Sequence, residues 1–272
     1  MKDKSLRENL SFETIVSTVK NSDIKTHILK MNIETDTVVV NQFDHFKEDS
    51  FSINNHKVTS LTVNERGVGL SRNTGFMRSK ADICIIADDD LVYRDGYIKE
   101  IKKAYSLYPD ADIICFNLKI IEKNGVKVKK LRTGKLRRAE SLKIGTPMIT
   151  FRRKSILKSL LSFSLLFGGG AVFGSGEDTL FIQEAFRKKL KIYQYDFIIA
   201  DVYNDDSSWF EGYNEKFFFD RGALYRAAFP TMSHLMMLQF LVRKRKLFKD
   251  WKFLDAYREM QKGAKSFSNT DF

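Results

Sequence analysis

"ADICIIADDDLVY", residues 81 to 93, decides how the rest of the chain is read. The apolar run from Ile83 to Ala87 has the length of a strand buried on both faces. It stops at three consecutive aspartates, Asp88, Asp89 and Asp90. Like charges packed together cost free energy unless water, a cation or basic groups offset them. In extended backbone Asp88 and Asp90 point the same way, so both could meet one hard divalent cation, Mg2+ or Mn2+. An acidic surface loop has the same composition, but the buried strand leading into it favours a site.

Outward from this strand, the first 120 residues alternate strand-like and helix-like stretches. "FETIVSTV" (12 to 19), "DTVVVNQ" (36 to 42), "HKVTSLTV" (56 to 63) and "ADIICFNLKI" (111 to 120) read as strands. Ser22 reads as the N-cap of a short helix reaching Met31, and "GVGLSRNTGFMRSK" (67 to 80) and "YIKEIKKAYSLY" (97 to 108) read as helices. This alternation predicts an α/β fold: a Rossmann-like, mainly parallel sheet flanked by helices. Such sheets bind ligands beyond the carboxyl ends of their strands, which is where the aspartates fall.

After Ile120 the pattern changes. "NGV" (124 to 126) predicts a turn within a basic hairpin, and "GTPMITFRRKSI" (145 to 156) a strand leading to a helix. "GSGEDTLFIQEAFRKKL" (174 to 190) predicts a helix with Phe181, Ile182, Ala185, Phe186 and Leu190 on one face, opened by Ser175 and Asp178 at capping-box spacing. "KIYQYDFIIA" (191 to 200) is the last clear strand, and helices follow from about Gly212. The expected division is a main domain over 1–230 and a basic helical extension over 231–272.

The composition, 43% hydrophobic and 29% charged, is that of a globular protein, and the formal net charge of +12 favours anionic partners. The basic residues cluster in "KNGVKVKKLRTGKLRR" (123 to 138) and "VRKRKLFKDWK" (242 to 252). Either cluster could equally be a solvated surface. The charged N-terminus lacks the apolar core of a secretory signal, and "LLSFSLLFGGGAVFG" (160 to 174) is too short to span a bilayer, so a cytoplasmic location is expected. Cys84 and Cys115 lie in apolar runs and read as reduced core thiols; the four histidines show no metal-ligand spacing.

Two further constellations carry chemistry. Glu177 and Asp178 open a helix, where acids are favourable partners of the helix dipole; in a partly dry cleft, one of them could instead serve as a general base. Arg72 and Asn73, near the start of another helix, suit an anionic, hydrogen-bonding ligand such as a nucleotide. The glycines around them form neither a Walker A loop nor the dinucleotide fingerprint.

On "GLSRNTGF" (69 to 76), the strand with "DDD" (83 to 90), "GSGEDTLF" (174 to 181) and "VYNDDSSWF" (202 to 210), the chain resembles a family 2 glycosyltransferase with the GT-A fold, of the kind that builds bacterial surface polysaccharides. The resemblance implies a nucleotide-diphosphate sugar as donor, with UDP the expected nucleotide, and a saccharide or lipid-linked saccharide as acceptor. It implies that Asp88 and Asp90 bind Mn2+ or Mg2+ and, with Asp89, the donor. It makes Asp178 the base of an inverting transfer, with Glu177 helping to position the acceptor. Arg72 and Asn73 match nucleotide contacts, and Ser17, Thr18 and Asn41 fall where such enzymes hold the base. The usual opening, an apolar strand ending in Pro-x-Tyr-Asn, is replaced by "IVSTVKNSD". Where many relatives carry a metal-binding His, this chain has Asn204 and Asp205, so the resemblance implies Asp205 as a third metal ligand, or none.

The basic clusters suit an acceptor joined to lipid through phosphates, and "HLMMLQFLVRKRKLFKDW" (234 to 251) mixes apolar and basic residues as a helix lying on the inner face of the cell membrane would. A core-packing helix with a basic end has the same pattern. Two alternatives are weaker. A nucleotidyltransferase that forms nucleotide-sugars needs a Gly-rich basic loop after the first strand, which "STVKNSDIK" does not match. No RRM, KH or zinc module supports specific nucleic-acid binding.

Overall fold

The computed structural model describes residues 10–123, 125–203 and 212–269. The chain runs β1 (Phe12–Val19), α1 (Ile24–Lys30), β2 (Asp36–Gln42), β3 (Lys47–Ile53), β4 (His56–Val63), α2 (Val68–Arg78), β5 (Ile83–Asp88), β6 (Leu91–Tyr93), α3 (Tyr97–Leu107) and β7 (Ile113–Glu122). There follow β8 (Gly125–Lys129), β9 (Gly134–Lys135), β10 (Ile149–Arg152), α4 (Arg153–Ser159), α5 (Glu177–Arg187), β11 (Ile192–Tyr203), α6 (Glu215–Ala228), α7 (Ser233–Lys244) and α8 (Phe253–Ser268).

One sheet holds the strands in the order β3-β4-β2-β1-β5-β10-β7-β11-β6, with β8 paired to β7 and β9 to β11. Strands β4, β2, β1 and β5 are mutually parallel, and so are β7 and β11. Between these two sets β10 runs antiparallel to both its neighbours. The six main strands therefore run parallel, as expected, with β10 reversed among them; β3, β6, β8 and β9 pair antiparallel at the margins, so the whole sheet is mixed.

The reason is legible in β5: Ile83, Cys84, Ile85, Ile86 and Ala87 are fully buried, as a strand covered on both faces must be. Each of the three isoleucine side chains contributes about 1.5–3 kcal/mol when withdrawn from water. Phe151 of β10 packs edge-on against Phe76 of α2, which ties that helix to the same core. Cys84 and Cys115 are free and buried, as expected.

Three strands escaped the sequence reading, among them the two-residue β9. β3, "KEDSFSI", is a largely exposed edge strand, so no apolar alternation marks it, and β6 is only three residues long. Two caps also differ. Asp23, not Ser22, caps α1 by accepting from the Thr26 N–H, because the helix begins one residue later than expected. No capping box forms at α5: its N-cap is Gly176, and Asp178 accepts from the adjacent Thr179 N–H instead.

Beyond the sheet, α6, α7 and α8 build a second core from Phe218, Tyr225, Met237, Leu241, Phe248 and Met260. The crossing of α6 and α8 depends on paired glycines. A Cβ on Gly222 would fall 1.8 Å from the Met260 carbonyl oxygen, and one on Gly263 would fall 1.9 Å from that of Phe219. Only glycine at both positions lets the two backbones approach so closely. Leu224 and Ala223 on another part of α6 pack with Phe167 and Phe173, joining this core to the glycine-rich segment before α5.

Candidate active site

The carboxyl ends of β1, β2 and β5 open onto a cleft of about 390 Å³ whose far wall is the start of α5 and one side of α6. Ser17 and Thr18 end β1, and Ser17 sits in register with Asp88 at the end of β5. The Ser71 hydroxyl donates to the Ser17 hydroxyl at 3.0 Å, and Thr18 Oγ1 donates to Asp89 Oδ2. The chain turns at Asp89 and Asp90, so the triplet does not continue as extended strand and the simple same-side argument for Asp88 and Asp90 does not hold. All three aspartates nevertheless line the cleft.

Arg72 joins the two acidic groups. Only 3% of its side chain is exposed; Nη2 donates to Asp88 Oδ1 and Nη1 to Glu177 Oε1, each at 2.6 Å. Its guanidinium lies 5.5 Å from the centroid of the Phe163 ring. Burial works against the charge, but the two carboxylates outweigh it and hold the arginine protonated. Residues 16 and 105 positions away in sequence are thereby fixed to one side chain.

The glycine-rich loop lets α5 reach this arrangement. Gly168 has φ +108°, and a Cβ there would lie 2.6 Å from Val68 Cγ1 and 2.9 Å from Glu177 Oε2. A larger residue would push Glu177 away from Arg72. With Glu177 occupied, its neighbour Asp178 lines the cleft and, among the described residues, has no cation in hydrogen-bond contact. Burial, and then the Glu177 charge beside it, raise its proton affinity above the ordinary carboxylate range; Arg72 and Lys129 act in the opposite sense. Asp90 behaves similarly. Crowding by protein atoms, then the charges of Asp88 and Asp89, push it up to about 7, while a hydrogen bond from its own backbone acts in the opposite sense; its outer surface stays exposed.

Of the expected site residues, Ser17, Thr18, Arg72, Asp88, Asp89, Asp90, Glu177 and Asp178 converge on the cleft. Two do not line it. Asn41 holds the turn after β1, accepting from the Asn21 N–H and donating to its carbonyl. Asn73 clamps the backbone of Phe163, accepting from its N–H and donating to its C=O. Asp205 lies outside the described residues. The sequence reading missed Gln42, which lines the cleft and accepts from the Gly67 N–H at 2.8 Å, and Arg221 of α6. Gln42 ends β2, so the strand-end rule could have found it; Arg221 gave no signal, being one cation among many.

Among the described residues no group of three or more His, Cys, Asp or Glu side chains is arranged to hold a metal ion. The donors present are all carboxylate oxygens, with one oxygen of Asp88 bound by Arg72 and one of Asp89 by Thr18. Asp90, crowded by like charge and without a cationic partner among the described residues, is the carboxylate a cation would relieve. This set fits Mg2+ or Mn2+, which bind through one or two carboxylates and keep their remaining positions for water and substrate phosphate.

A sequence model described as "Glycosyl transferase family 2" matches residues 25–163, half of the chain. Solved structures of Staphylococcus aureus TarS share the fold. TarS 1-349 has a TM-score of 0.61 at 13% identity, over 95% of this chain and 83% of that one. Its complex with UDP-GlcNAc gives 0.63 at 16% identity, over 95% and 80%, and its complex with UDP gives 0.59 at 14%, over 95% and 83%. The search of curated protein sequences returned no match.

Proposed function

The chain belongs to glycosyl transferase family 2, with the GT-A fold, and from that premise we propose that it moves a sugar from a nucleoside-diphosphate donor to a hydroxyl of a saccharide or lipid-linked saccharide, with inversion at the anomeric carbon. UDP is the nucleotide we assign, in keeping with the UDP-GlcNAc and UDP complexes of the TarS fold relative. One observation carries the reading: the strand-end aspartates and the α5 acid pair line the same cleft and are tied together by Arg72.

In this mechanism Asp178 accepts the proton of the acceptor hydroxyl as that oxygen attacks the anomeric carbon. The bond from that carbon to the diphosphate oxygen breaks, and the nucleoside diphosphate leaves with the electron pair. A raised proton affinity suits the task, since a base with a pKa closer to the working pH is both ionised and basic enough. Proton removal of this kind is typically worth ~10²–10⁴-fold in rate. Glu177, locked to Arg72, keeps the start of α5 and hence Asp178 in place. Ser17, Thr18 and Gln42 form the floor on which the nucleoside rests, and Arg221 offers positive charge from the α6 side. Asp88 and Asp90 would hold Mg2+ or Mn2+, with Asp205 the candidate for a third ligand; when bound, the cation neutralises the developing diphosphate charge.

The test is Asp178→Asn. It keeps affinity for the nucleotide-sugar and lowers the transfer rate by ~10²–10⁴-fold. Transfer at the wild-type rate would remove Asp178 as the base.

A further inference from the structure

Helix α7 has two apolar faces where packing against one core uses only one. Met237 and Leu241 are fully buried in the core shared with α6 and α8. Leu235, Leu238 and Val242 project from the other side and are 58%, 38% and 70% exposed. With 3.6 residues per turn these three fall within an arc of about 60°. The stripe leads directly into Arg243, Lys244, Arg245 and Lys246, all exposed, and then into Leu247, itself 51% exposed. Among the described residues, none of these four cations is ion-paired to an acidic side chain.

We propose that this face of α7, with the basic run that follows it, docks on an anionic lipid surface. The apolar stripe enters the boundary between headgroups and acyl chains, and the guanidinium and ammonium groups meet lipid phosphates. Charge selects this occupant over a second copy of the chain. An isologous contact through the stripe would bring two basic runs together if the helices were parallel and leave both without a counter-charge if antiparallel, whereas an anionic bilayer complements them. Among the described residues no helix is long and apolar enough to cross a membrane, so the contact lies on the surface. The patch is one helix away from the cleft: α6 sends Arg221 and Leu224 to the cleft and Phe218 and Tyr225 to the core beneath α7. The proposal does not depend on the transfer chemistry and fails separately from it.

The full chain is pelleted with sucrose-loaded vesicles of phosphatidylcholine alone and of phosphatidylcholine mixed with phosphatidylglycerol, at low and high salt. The wild type binds only the mixed vesicles, and salt weakens binding. The variant Leu235→Ser/Leu238→Ser/Val242→Ser and the variant Arg243→Glu/Arg245→Glu/Lys246→Glu each lose binding by about tenfold or more. Both keep the wild-type melting temperature, because Met237 and Leu241 are untouched. Wild-type binding by the serine variant would overturn the proposal, leaving charge adsorption alone. So would failure of the wild type to bind mixed vesicles, or a dimer that the serine substitutions dissociate without any vesicle binding.

Discussion

The acidic triplet at the end of β5 and the acidic pair at the start of α5 solve the same electrostatic problem in the same way. Each cluster ties down some carboxylates and leaves one without a side-chain partner among the described residues. At β5, Asp88 is held by Arg72 and Asp89 by Thr18, which leaves Asp90. At α5, Glu177 is held by Arg72, which leaves Asp178. Both remaining groups have raised proton affinity, but their settings differ. Asp90 has two acidic neighbours and an open surface, so a cation relieves it; Asp178 has one acidic neighbour, is more deeply set, and has Lys129 near it. The difference separates a group suited to holding a charged donor from one suited to taking a proton.

Arg72→Met breaks the comparison most severely, since it removes the common partner of both clusters. Losing one member of a buried ion-pair network costs about 3–5 kcal/mol, so the melting temperature should fall by about 10 °C in a thermal-denaturation scan. Arg72→Lys should fall between this variant and the wild type, because a point charge does not reproduce the fork that reaches both carboxylates. A melting temperature unchanged in Arg72→Met would mean that the two clusters are not coupled.

Asp90→Asn acts in the opposite direction and sharpens the contrast. Without added cation near pH 8, it should raise the melting temperature, because it removes a carboxylate crowded by like charge. A fall would show that Asp90 is already satisfied by a partner.

The smallest effect is a pH slope. Asp90, pushed up to about 7, and Asp178, also raised, bind more protons in the native state than in the unfolded chain. Their contribution to stability is complete below the unfolded carboxylate value of about 4, and is lost as pH rises through the folded values. The cation-free wild type should therefore lose melting temperature between about pH 5 and 8 relative to Asp90→Asn/Asp178→Asn, when both are scanned across that range.

The sequence reading reached the parallel strands because β1, β2, β4 and β5 are short stretches rich in apolar and β-branched residues. It reached the acid clusters because strand ends and helix starts have local signatures. It could not reach their union, since the link is an arginine 16 residues from one and 105 from the other. The same limit explains Asn41 and Gln42. Consecutive residues of a strand face opposite ways, so choosing Asn41 over Gln42 selected a turn-holding side chain in place of one lining the cleft. Asn73 was misjudged because its partner, the backbone at Phe163, is 90 residues distant.

The most direct test of the account is a calorimetric titration of UDP into the wild type and Asp90→Asn, with Mn2+ and with a chelator. The account predicts UDP binding to the wild type that needs Mn2+ and is largely lost on chelation, and binding to Asp90→Asn that stays weak in both conditions. Equal UDP affinity with and without the cation, unaltered by Asp90→Asn, would contradict the claim that the strand-end aspartates hold the donor through a metal ion.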